Sequence, residues 1–227
     1  MIPRPENPLV VALDVSDLAA AEDLARTLAG TVGLMKVGLE LFAAAGPAAL
    51  DRVRGHAPVF CDLKLHDIPN TVERASRNLA RLGVSMLTVH ALGGESMVAA
   101  AVRGAADGAQ ESGHPIPAVV AVTVLSSLAG EGLASSASLA FEAQAAGATG
   151  AVVSGEDVAT VREVTGESFC LVVPGIRPAG SNGHDQVRIL TPVEAIERGA
   201  DYLVVGRPIT GSSDPAGSAR AILASVR

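Results

Sequence analysis

Asp62 and Lys64 stand two apart in the run Cys61-Asp62-Leu63-Lys64-Leu65-His66-Asp67, at the end of an apolar stretch that begins at Pro58. In an extended strand that spacing turns both side chains to one face, so a carboxylate and an ammonium share one environment. Lys36, beside Gly38 in the run from Leu34 to Val37, offers a second cation, and Asp67 a second anion. An alternating Lys-Asp-Lys-Asp cluster is electrically balanced, so each group can stay ionised away from water without the cost of an unpaired buried ion. Two readings of such a cluster stand open: a salt-bridge network that closes the end of a fold, or a preorganised field for charge that develops during a reaction.

A second signal is the pairing of arginines with glycine turns. Gly206-Arg207-Pro208 follows the apolar run from Tyr202 to Val205, and Pro174-Gly175-Ile176-Arg177 closes the run from Phe169 to Val173. Backbone N–H groups at such a turn suit a phosphate, and Arg207 adds a charge-assisted, bidentate contact. The cysteines point elsewhere. Cys61 and Cys170 lie inside apolar runs with no CxxC or Cys/His spacing for zinc, and read as small buried residues. His66, His90 and His184 read as structural or loop histidines, because a lysine already supplies a proton donor.

These groups need elements to hold them. Short apolar runs recur from Leu9 to Leu13, Leu34 to Val37, Pro58 to Leu63, Val84 to Val89, Ala118 to Leu125, Ala148 to Val153, Phe169 to Val173 and Tyr202 to Val205. They are continuous instead of alternating, which is the pattern of parallel strands covered on both faces. Ala-rich stretches of helical spacing lie between them, among them Asp17 to Ala29, Thr71 to Leu82, Glu95 to Ala106, Leu139 to Ala146 and Pro192 to Arg198. Asp17, Glu22 and Asp23 are expected to favour the first helix through its dipole, and Gly30, Gly83, Gly147 and Gly199 to supply left-handed turns at helix ends.

Eight strand–helix units of about 28 residues are near the minimum for parallel crossovers and predict an α/β fold, a single-domain (β/α)8 TIM barrel over residues 1–227. An open doubly wound sheet would carry a Gly-rich turn after its first strand, where this chain reads Ala12-Leu13-Asp14-Val15-Ser16. Barrel enzymes place reacting groups at the C-terminal strand ends, and here those ends carry Asp14, Lys36, Asp62, Lys64, His90, Ser154, Arg177 and Arg207. Interior layers of such barrels are mostly branched apolar residues, so charge gathered at one rim favours function over structure.

Composition narrows the classes further. The 227 residues are 48% hydrophobic, 18% charged and only 2% aromatic, with no Trp and a net charge of -7. Stacking platforms for single-stranded nucleic acid are missing, and an acidic chain lacks the field that draws phosphate polymers, so nucleic acid is not an expected partner. The first eight residues hold three prolines and no apolar stretch of signal-peptide length, and no run nears the ~18 apolar residues of a membrane span. A cytoplasmic protein with no membrane partner is expected.

The run Asp62-Leu63-Lys64-Leu65-His66-Asp67-Ile68-Pro69-Asn70-Thr71 resembles the orotidine 5′-phosphate decarboxylase family in its bacterial form. So do Ala12-Leu13-Asp14, Lys36-Val37-Gly38, Thr123-Val124-Leu125-Ser126-Ser127, Pro174-Gly175-Ile176-Arg177, Asp185-Gln186-Val187-Arg188 and Val205-Gly206-Arg207-Pro208-Ile209, in the family's order. The DxKxxD core alone is shared with sugar-phosphate lyases; the full set is specific.

The resemblance implies a cofactor-free decarboxylation of orotidine 5′-phosphate (OMP) to UMP, the last step of UMP synthesis, by a homodimer. It implies that Asp14 and Lys36 hold ribose hydroxyls, that Asp62 faces the substrate carboxylate and that Lys64 gives the proton to C6. It implies that Asp67, Ile68 and Thr71 enter the neighbouring subunit's site, and that Ser126 meets the pyrimidine edge. Gln186, Arg207 and the Gly206 N–H would bind phosphate, with Arg177 beside them. The family pattern reads Leu-Thr-Ser where this chain has Leu125-Ser126-Ser127, which leaves the base contact open between the two serines.

Rival readings are a magnesium-dependent sugar-phosphate decarboxylase or hexulose-phosphate synthase, against which Lys36 argues, and a Schiff-base aldolase, whose lysine flanking carboxylates would keep protonated. A silent phosphate-binding barrel is a third.

Overall fold

The continuous apolar runs become strands because each is covered on two sides, by helices outside and by the closed interior within. In the computed structural model, which describes residues 5–124, 135–178 and 190–226, the strands are β1 (Leu9–Ala12), β2 (Leu34–Gly38), β3 (Val59–Leu65), β4 (Met86–His90), β5 (Ala118–Val122), β6 (Gly150–Val152), β7 (Cys170–Val173) and β8 (Tyr202–Val205). All pair in parallel and in sequence order, and β8 returns to β1, closing the barrel. The single-domain TIM barrel expected from the eight runs is the fold.

Helices α1 (Leu18–Leu28), α2 (Leu39–Ala45), α3 (Pro47–Arg54), α4 (Pro69–Arg81), α5 (Gly94–Ser112), α6 (Ser136–Ala145), α7 (Val158–Thr165), α8 (Pro192–Glu197), α9 (Arg207–Thr210) and α10 (Pro215–Ser225) surround it. Gly30, Gly83, Gly147 and Gly199 take positive φ, as expected of turns leaving helices. Of the three acidic residues expected to favour the first helix through its dipole, Asp17 alone lies at the helix start. Asp17 is the N-cap of α1 and accepts from the Ala20 N–H at 2.7 Å. Glu22 and Asp23 lie beyond the first turn, where the dipole has faded; they pair instead with Arg52 of α3 and with Arg26.

Strand parity separates two cores. Odd positions such as Leu9, Val11, Met35, Cys61, Leu87 and Val89 pack outward under the helices. Even positions Val10, Ala12, Leu34, Phe60, Met86, Val120, Val172 and Val204 fill the barrel interior. The same parity carries Lys36, Asp62, Lys64, Thr88 and His90 inward, above that apolar floor.

The helix after β3 is seated closely. Gly104 and Gly108 of α5 lie where a Cβ would run into the carbonyls of Glu73 and Arg77 on α4. Arg103 pairs with Glu73 at 2.8 Å across the same seam. This contact fixes the start of α4, and with it the segment from Asp67 to Thr71.

Candidate active site

Four charges meet at the C-terminal rim. The Lys36 ammonium lies 3.2 Å from Asp14 and 3.4 Å from Asp62 Oδ2. Lys64 donates to Asp62 Oδ1 at 2.9 Å. The chain of contacts is therefore Asp14, Lys36, Asp62, Lys64, and the second anion is Asp14 instead of the expected Asp67. The reason is local: β3 ends at Leu65, and Asp67 turns back to accept from the Ile68 N–H at 2.7 Å while remaining exposed.

Asp62 is 8% exposed, and each of its oxygens has a cationic neighbour. Burial alone pushes its carboxyl up. Lys36, Lys64 and hydrogen bonds from Lys64 and Thr88 outweigh that effect and hold it below its ordinary value of 3.8, so the carboxylate stays ionised at neutral pH.

Lys64 is, among the described residues, the non-glycine with positive φ, 52°. Such a backbone costs about 1–2 kcal/mol for a residue with a Cβ and persists only where its surroundings compensate. Here the ladder between β3 and β4 shifts register between Cys61 and Leu65. The Lys64 N–H donates instead to the Thr88 hydroxyl at 2.8 Å, and that hydroxyl donates to Asp62 Oδ1 at 3.0 Å.

Thr88 belongs to none of the motifs that the sequence displays. Its even parity with His90 on β4 was the available signal. His90 stacks on His66 with ring centroids 5.3 Å apart, and burial, then His66 and Lys64, lower its pKa, which keeps it neutral.

Three of the four charges, Lys36, Asp62 and Lys64, line a cavity of about 210 Å³. They face Val122, Val152 and Val172 of β5, β6 and β7, with Phe60 two residues before Asp62 on β3 and Ser154 and Pro174 at the edge. Ser154 and Ser136 both donate to Asp157, which ties the end of β6 to the start of α6. A low-dielectric wall opposite a charged one strengthens the field that the charges exert on anything between them.

The other expected site residues sit around this centre. Gly206 follows β8 beside Asp14, whose Oδ2 would lie 3.7 Å from a Cβ there. Arg207 opens α9 on the exposed side, and Arg177 is 8% exposed, its N–H bonded to the Leu190 carbonyl at 3.1 Å. Ile68 and Thr71 are exposed at the start of α4 and do not enter the cavity of their own chain. Ser126 and Gln186, like Ser127 and His184, lie outside the described residues. Cys61 and Cys170 are buried and free, and burial first, then the neighbouring carboxylates Asp62 and Asp201, pushes both thiols up to about 12. They are packing residues, as their apolar setting indicated.

A closed parallel barrel with lysines and aspartates paired at its C-terminal rim defines a class: it is the architecture, and the placement of charge, of a TIM-barrel enzyme. Residues 7–222 match the model of the Orotidine 5′-phosphate decarboxylase / HUMPS family. The chain is 47% identical to the orotidine 5′-phosphate decarboxylase of Moorella thermoacetica, over 97% of this chain and 92% of that one. It is 52% identical to that of Anaeromyxobacter dehalogenans, over 97% and 99%. The crystal structure of orotidine 5′-phosphate decarboxylase from Lactobacillus acidophilus superposes with a TM-score of 0.85 at 36% identity, covering 98% of this chain and all of that one. The chain belongs to the orotidine 5′-phosphate decarboxylase / HUMPS family.

Proposed function

We infer that the chain, as one barrel domain over residues 1–227, decarboxylates orotidine 5′-phosphate to UMP and carbon dioxide in pyrimidine biosynthesis. The observation that carries this reading is the Asp14–Lys36–Asp62–Lys64 array, of which Lys36, Asp62 and Lys64 line the rim cavity and Asp14 backs Lys36. It also distinguishes the two halves of the family's name. A magnesium-dependent sugar-phosphate enzyme needs a divalent ion among its carboxylates, whereas here the Lys36 ammonium bridges Asp14 and Asp62 and takes that electrostatic place.

In this reading Asp62 faces the substrate carboxylate, whose approach to a fixed anion raises the ground state. The bond from C6 to the carboxylate breaks, carbon dioxide leaves, and the electron pair stays on C6. Lys64 stabilises that pair as a preorganised cation and then transfers a proton from Nζ to C6. Lys36 and Asp14 hold the ribose hydroxyls. Ser126 reads the pyrimidine edge, and Gln186, Arg207 and the Gly206 N–H bind phosphate with Arg177 beside them. Phosphate binding, remote from C6, offsets the repulsion at the carboxylate.

The same reading makes the enzyme a homodimer in which Asp67, Ile68 and Thr71 complete the neighbouring site. Supporting it, Asp67 and Thr71 are exposed beside Ile68, which is 65% exposed, and Leu39 and Leu92 are also exposed apolar side chains after β2 and β4. An apolar row along three consecutive strand ends suits burial against a second copy. No described helix is long and apolar enough to cross a membrane. The cytoplasm is the compartment assigned, since a multiply charged nucleotide does not pass a bilayer unaided.

The test is the fall in absorbance of orotidine 5′-phosphate in metal-free buffer. Turnover that persists under chelation supports the reading. Folded protein that turns over only with magnesium and a sugar phosphate overturns it.

A further inference from the structure

Thr88 is 1% exposed and does not line the cavity, yet its hydroxyl touches both partners of the central ion pair. It accepts the Lys64 N–H at 2.8 Å and donates to Asp62 Oδ1 at 3.0 Å. A hydroxyl has a single proton. Because the Lys64 amide arrives as a donor, that proton is directed at the carboxylate. The Lys64 ammonium closes on the same Oδ1 at 2.9 Å, making a ring that runs from the Lys64 backbone through Thr88 and Asp62 to the Lys64 side chain.

The ring holds two soft degrees of freedom. One is the Lys64 backbone, whose φ of 52° lies in the left-handed region and whose amide has left the regular ladder at the β3–β4 register shift. The other is rotation of the Asp62 carboxylate, whose oxygens are apportioned between Lys64 and Lys36. With the hydroxyl removed, the amide loses its acceptor and Oδ1 one of its two donors. The ammonium and the carboxylate are then free to drift, and a shift of about 1 Å in a reacting group can cost about 10²-fold in rate.

We propose that Thr88 is a positioning residue for the decarboxylation, fixing the separation of Lys64 and Asp62 through its bridging hydroxyl without touching substrate. The proposal rests on the decarboxylase reading for its kinetic consequence, though not for the geometry.

The experiment compares Thr88→Val, which keeps shape and removes the hydroxyl, with Thr88→Ser, which restores it. Thr88→Val is expected to lower kcat by about 10- to 100-fold with KM within about threefold of wild type, the pattern of lost alignment instead of lost binding. Thr88→Ser is expected to stay within about threefold in both. In parallel, the Asp62 carboxyl is titrated by carbon-13 NMR on the full chain. The groups facing it are Lys36 from β2, Lys64 from β3 and Thr88 from β4, with Asp14 behind Lys36.

Loss of one donor should raise its midpoint in Thr88→Val and leave it in place in Thr88→Ser. A folded valine variant with wild-type kcat, a change confined to KM, a serine variant as impaired as valine, or an unmoved midpoint would each overturn the proposal. Should valine not fold, Thr88→Ala is read by the same criteria. A wild-type chain that does not decarboxylate orotidine 5′-phosphate would sink the functional reading and leave the carboxyl titration to decide the role of Thr88.

Discussion

Lys64 presents its ammonium 2.9 Å from Asp62 on a backbone that a lysine adopts only under constraint. In the proposed reaction such a group contributes by being in position before the substrate arrives. If Lys64 is the proton donor and the phosphate the anchor, as proposed, Lys64→Ala should lower turnover by several orders of magnitude while leaving UMP affinity nearly unchanged. Parallel kcat and equilibrium UMP titrations check this, and equal losses in both would mark Lys64 as a structural charge. Asp62 gives a second residue-scale expectation. Its folded pKa lies below the ordinary 3.8, so the unfolded chain binds the proton more readily. The stability it contributes is fully present above about pH 4 and is lost as pH falls through the folded value. Asp62→Asn should flatten the pH dependence of the urea midpoint below about pH 4 relative to wild type.

Between the residue and the molecule, the two ends of the barrel divide the work. At the end opposite the site, Arg162 of α7 is 9% exposed and donates to the carbonyls of Gly166, Phe169 and Gly199 and to Asp201 at 2.7 Å. Asp201 in turn accepts from the Leu171 N–H at 2.8 Å. This clamp joins α7 to the starts of β7 and β8, far along both strands from Arg177 and Arg207. Removing one partner of a buried pair leaves the other uncompensated, so Arg162→Ala should cost about 3–5 kcal/mol of stability. Denaturant unfolding measures it, with kcat per folded molecule unchanged. A matching loss of kcat would show that this end of the barrel bears on the chemistry. The eight strands and the parity of their side chains were legible in the apolar runs, because a strand buried on both faces advertises itself by continuity. The register shift in β3 was not, since a bulge changes hydrogen bonding without changing which residues are apolar.

At the scale of the whole molecule, the cluster within one chain is closed by Asp14, and Asp67 stands apart with its carboxylate on the Ile68 N–H. If Asp67 serves the neighbouring site, each site needs two chains. Asp67→Asn and Lys64→Ala homodimers should both be nearly inactive. A heterodimer of the two gathers both lesions in one site and none in the other, and should regain up to about half the wild-type rate per dimer when the sites are independent. Native mass spectrometry establishes that subunits have exchanged. Exchange without recovery would assign Asp67 to its own chain.

The sequence by itself determined eight parallel strands, whose number favours a barrel over an open sheet, and the central charges Lys36, Asp62 and Lys64, through their position where the apolar runs end; closure of β8 on β1 is tertiary. Periodicity and chemical type are local properties, and both can be read along a chain. Tertiary structure decided which charges meet. Asp14 reaches Lys36 because β1 pairs beside β2 with Ala12 opposite Lys36. Thr88 reaches Lys64 because the β3–β4 ladder slips between Cys61 and Leu65. Partners 22 and 24 residues apart are chosen by strand register, and register is an outcome of the closed sheet as a whole instead of any one run.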